Sequence, residues 1–106
     1  MARDYVVVPD LRQLITSIQP ESIISRQVYK DEHVNVTVFG FDAGQALSEH
    51  TASQPATIQI LDGEATITLG EEVVEATIGT WIHMLPNTRH SVVAKTPLIM
   101  LLTLLK

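Results

Sequence analysis

The chain has 106 residues, which makes one domain with a single core. Apolar residues are 45% of it, which speaks against a disordered chain, and it has no cysteine, which excludes disulfides and thiolate chemistry. A formal charge of −5, with Lys and Arg scattered, leaves no basic stripe for nucleic acid or an anionic membrane, so neither is expected as a partner.

At the N-terminus, Val6-Val7-Val8 is cut off by Pro9, too short an apolar region for a signal peptide. The longest apolar run, Leu98 to Leu102 and then Leu104-Leu105, falls far short of the ~20 residues that span a bilayer. A cytoplasmic protein is the expectation, organised as one unit over 1–106, with a leader and short helix over 1–20 and a β-barrel over 21–106.

The elements follow in chain order. Leu11, Leu14, Ile15 and Ile18 have the spacing of a short amphipathic helix over 10–18, capped by Asp10 and stopped by Pro20. Ile23 to Tyr29 reads as a strand, and Lys30-Asp31-Glu32-His33 as a polar turn with a solvated His33. Val34, Val36 and Val38 alternate with Asn35, Thr37 and Phe39, the period of a strand with one buried face. Asp42-Ala43-Gly44 ends it. The next strand runs from Ala56 to Leu61, and Asp62-Gly63 is the strongest hairpin signal in the chain. Ala65 to Leu69, Val73 to Ile78, Trp81 to Leu85, His90 to Val93 and the final apolar segment complete the set, with turns at Gly70-Glu71, Gly79, Pro86-Asn87 and Lys95-Thr96-Pro97. Short strands at this spacing predict an all-β sandwich or barrel. The last strand is apolar on both faces, so both need cover, and a homodimer would supply the second.

Two segments resemble the motifs of small single-domain cupins. The first is Gly44-Gln45-Ala46-Leu47-Ser48-Glu49-His50-Thr51-Ala52, followed by Ala56 and Gly63; the second runs from Gly79 through Trp81 and Pro86 to His90. The resemblance implies a double-stranded β-helix, the jelly-roll barrel. In family members with a full site, three histidines and one glutamate bind a divalent metal. By that correspondence His50 is the first histidine and His90 the last, while Ala52 and Ala56 stand at the other two ligand positions.

Two imidazoles alone make a weak metal site, because a catalytic zinc or iron normally takes three protein ligands. His83 is a candidate third ligand. Glu49 adjoins His50 and belongs on the opposite face of an extended strand, and Gln54 or Gln59 would offer only an amide oxygen. His50 and His90, with His83 and Gln59 as further members, therefore form the expected pocket. Two functions compete. One is a barrel that binds an unknown small molecule, anionic or aromatic, without robust catalysis. The other is a dioxygenase- or isomerase-type enzyme holding Zn, Fe, Ni or Mn on His50 and His90. No phosphate-cradling glycine loop and no nucleophile–base pair is evident, since the five glycines are isolated and Ser48 has no apparent partner.

Overall fold

A computed structural model describes residues 4–106; Met1, Ala2 and Arg3 of the expected leader lie outside the described residues. The chain forms strands β1 (Ile23–Lys30), β2 (Val34–Phe41), β3 (Ala46–His50), β4 (Ala56–Asp62), β5 (Ala65–Leu69), β6 (Glu72–Ala76), β7 (Trp81–Met84), β8 (His90–Ala94) and β9 (Leu98–Leu105). They make two antiparallel sheets, one ordered β1-β2-β9-β4-β7 and the other β3-β8-β5-β6. The chain passes repeatedly between the sheets, which gives the jelly-roll barrel. No helix among the described residues is long and apolar enough to cross a membrane.

Period-2 alternation builds the core. Ile58 and Ile60 on β4, Ile67 on β5, Val92 on β8, and Leu98 and Met100 on β9 all point between the sheets with Phe41, and each is almost wholly buried. Each such side chain contributes roughly 1.5–3 kcal/mol by leaving water.

Two elements depart from the sequence reading. The expected helix over 10–18 is only a 3-10 turn at Leu11–Leu14. Asp10 does cap it, its carboxylate accepting from the Arg12 N–H at 3.1 Å, but the chain is extended again by Ile15. Tertiary packing overrides the helical spacing here. A Cβ on Gly40 would lie 2.7 Å from Ile15 Cγ2 and 3.2 Å from Ile18 Cγ1, so these two isoleucines occupy the space that Gly40 leaves on the outer face of the five-stranded sheet. An extended segment reaches across the sheet at about 3.3 Å per residue, whereas a helix would not.

The second departure concerns Asp62-Gly63. The chain does turn there, with Gly63 at φ +84°, but β4 and β5 belong to different sheets, so this is a corner and not a hairpin. The corner is sealed by β8–β9 residues: Glu64 N–H donates to Thr96 Oγ1 at 3.0 Å and Lys95 N–H to the Glu64 carbonyl at 2.9 Å.

The facing of β2, which its alternation alone leaves open, is set by the register. Phe39 pairs with Met100 and packs on the core, which turns Asn35, Thr37 and Phe39 inward. Val34, Val36 and Val38 face outward, where Val38 is nonetheless fully buried. Its cross-strand neighbours on that face are Arg26 and Leu101, beside Gly40 and the isoleucines that cover it.

Candidate functional site

The topology gives the barrel two unlike ends. The connections 42–45, 63–64, 77–80 and 95–97 lie at one end, and 31–33, 51–55, 70–71 and 85–89 at the other. The loops of the second end are tied together: Asn87 N–H donates to the Ala52 carbonyl at 2.7 Å, Gly70 N–H to the Arg89 carbonyl at 2.8 Å, and Leu105 N–H to the Pro55 carbonyl at 2.9 Å. Asn87 holds a left-handed backbone, φ 65°, which asparagine tolerates better than most residues.

At this second end β3 finishes with His50 and β8 begins with His90, paired directly across the ladder. Their ring centroids are 4.1 Å apart with the planes tilted by 58°. A bulge makes this possible. Leu47 pairs with Val92 and His50 with His90, so three steps on β3 match two on β8. In an unbroken ladder Glu49 would oppose His90; the extra residue brings His50 there instead. Glu49 is exposed.

The two rings are held alike. His50 Nδ1 lies 2.8 Å from the Ser48 carbonyl oxygen, and His90 Nδ1 lies 2.9 Å from that of Thr88. A carbonyl oxygen only accepts, so each Nδ1 carries the proton and donates. When the rings are neutral, each Nε2 is left with a free lone pair. His90 is 7% exposed and His50 is open to solvent, so the pair runs from the interior to the mouth.

Gln59 and His83 do not join the pair. Gln59 alternates with the core residues Ile58 and Ile60, and pairs with Trp81. Trp81, 62% exposed, and His83 share the outer face of the five-stranded sheet, stacked with centroids 6.1 Å apart. The expected four-residue pocket is thus corrected to two histidines, because strand alternation sends the other two side chains away from the barrel interior.

The divalent metal implied by the family motif is tested by these donors. Ala52 is half-buried in the mouth loop, and Ala56 is buried in the core row that pairs with Met84 and Leu104. Neither methyl group coordinates anything. Among the described residues no three His, Cys, Asp or Glu side chains gather to hold a metal. Two imidazoles without a third protein ligand do not fit a resident catalytic metal.

The architecture defines an antiparallel jelly-roll barrel with a histidine pair at one end. Its solved relatives place it as a cupin fold. One is a conserved protein of unknown function from Streptococcus pyogenes, 29% identical, TM-score 0.83, matched over 100% of this chain and 90% of that one. Another is a cupin superfamily protein from Desulfitobacterium hafniense, 21% identical, TM-score 0.84, over 99% and 94%. A third is salicylate 1,2-dioxygenase from Pseudoaminobacter salicylatoxidans, solved with gentisate, 11% identical, TM-score 0.73, over 83% of this chain and 26% of that one. No protein-family model matches the chain, and no curated protein does.

Proposed function

We propose that this cupin barrel binds a small molecule at its histidine mouth without a resident metal. The observation that supports this is the His50–His90 pair, held by two equivalent backbone hydrogen bonds so that both Nε2 atoms are free, above an apolar interior. Apolar walls with a few oriented polar groups are the usual makeup of a small-molecule site. The test is a ligand screen by thermal shift in chelator, on the native protein and His50→Ala. Binding compounds should raise the melting temperature of the native protein and lose that effect in the variant. A screen in which no compound acts unless metal is added overturns the reading.

A second reading has one observation in its favour. An Nδ1–H bond to a backbone carbonyl is also how metal-ligating histidines are commonly oriented. An exogenous ligand would then have to complete the coordination. Metal that copurifies with the native protein and is lost in His50→Ala would favour this reading.

The lack of cysteine supports a reducing compartment such as the cytoplasm. A second copy of the chain is the proposed cover for the outer face of the five-stranded sheet. On that face Leu101 and Thr103 stay half-exposed beside Trp81 and His83. A dimer by light scattering that becomes monomeric in Leu101→Glu is the expected result, and a native monomer at micromolar concentration would contradict it.

A further inference from the structure

Asn35 is a polar residue in a mostly apolar barrel interior. Among the described residues, its Oδ1 is the one buried side-chain nitrogen or oxygen without a hydrogen-bond partner. Such an atom loses its water and gains nothing in return, so a free-standing fold has no reason to favour it. The cross-strand register shows where it points. Asn35 pairs with Leu104, Leu104 with Ala56, and Ala56 with Met84, and the last three belong to the core or pack on it. Side chains in one such row share a face, so Asn35 is turned into the barrel.

Its level along the barrel follows from the chain path. From Asn35, β2 runs to Phe41 at the far end, crosses between the sheets over 42–45, and returns along β3 to His50. Asn35 and His50 therefore lie at the same end, on strands of opposite sheets. The row beneath Asn35 continues with Thr37, Leu102, Ile58 and Ile82.

We infer that Asn35 is a ligand-binding residue of the histidine mouth, and that the ligand is a small neutral molecule carrying hydroxyl groups on an apolar frame. This rests on the binding reading above. Two Nε2 lone pairs and an amide oxygen are three acceptors, and they ask for donors. Hydroxyl groups supply donors, and would satisfy the amide in either orientation. A carboxylate would set its oxygens against the Asn35 oxygen and bring an unpaired charge into an apolar interior. The Leu102, Leu104 and Met84 side chains suit an apolar frame.

The probes are trans-cyclohexanediol and cyclohexanecarboxylate, tested in chelator at mildly alkaline pH by ligand-observed NMR and titration calorimetry. The diol should bind the native protein, and Asn35→Leu should weaken it about tenfold, the effect of one lost hydrogen bond. The same variant, with its orphaned polar atom gone, should melt at a higher temperature than the native protein; Asn35→Ala provides the smaller replacement. Three results overturn the inference: a diol affinity unchanged in both variants, a lower melting temperature in Asn35→Leu, or binding of the carboxylate alone. If the carboxylate binds in a His50-dependent way, the binding function stands and this inference falls. If neither probe binds, the ligand class is wrong, and the thermal-shift screen decides the function separately.

Discussion

The two ends of the barrel are built from the same strands and treat side chains in opposite ways. At the corner end, Phe41, Ala65, Ala76, Ala94 and Leu98 are each at most 1% exposed, and a Cβ on Gly63 would come within 2.1 Å of the Pro97 carbonyl oxygen. At the mouth end the same two sheets present Asn35, His50 and His90, with one buried oxygen unpaired and one imidazole open to water. Small residues pack the interior of the corner closely, while the mouth presents polar side chains. One end is packed by small and apolar residues, and the other is where binding is proposed.

That contrast can be broken by substitution, and the corner should give the largest effects. Gly63→Ala puts a methyl group at φ +84° against backbone that cannot move aside. It should cost about 3 kcal/mol in denaturant melts, the sum of left-handed strain and overpacking. A cost near zero would mean that the corner is looser than described. One layer inward, Ile67→Val should cost about 1 kcal/mol, the usual loss of one buried methyl group. At the mouth, His50→Ala should change stability by no more than about 0.5 kcal/mol while abolishing ligand-induced stabilisation. Equal losses of stability at the two ends would remove the distinction.

The smallest effect concerns acid. Asp31, in the turn beside the mouth, accepts from the Tyr29 hydroxyl at 2.6 Å and from the His33 and Val34 N–H groups. These hydrogen bonds, the tyrosine's first, lower its carboxyl from the ordinary 3.8 to about 2. A lowered folded-state value means that the unfolded chain takes up the proton more readily. The contribution is therefore complete above pH 3.8 and is lost as pH falls toward 2. Asp31→Asn should flatten the acid limb of the stability curve in that window and leave the neutral region's slope unchanged. The Lys106 ammonium also donates to the Asp31 carbonyl, so the turn holds the chain's last described residue as well.

Much of this was legible in the sequence, for physical reasons. Alternation of Ile58, Ile60 and Ile67 with polar neighbours marks strands with one buried face, and the glycine and proline turns mark where they end. The spacing around His50 and His90 pointed to the fold and brought the two rings together. What stayed hidden depended on contacts between distant segments. The helix over 10–18 lost to the docking of Ile15 and Ile18 on Gly40. The bounds and bulge of strand β3 leave no sign in residue types, because only Leu47 in it is even half-buried. Alternation in β2 does not say which set of residues faces the core, and the valines lie on the outer face, where Val38 is covered beside Gly40. That facing is what turns Asn35 inward. An asparagine in step with Thr37 and Phe39 was the available signal, but it is readable only once the buried side is known.

The central claim is that the mouth binds through two imidazoles and needs no metal. Elemental analysis of untagged protein purified without chelator, beside His50→Ala, tests it most directly. The account predicts no stoichiometric zinc, iron, nickel or manganese in either sample, even after incubation with each ion. Near-stoichiometric metal in the native protein that disappears in His50→Ala would contradict it, and would show that other groups complete the site.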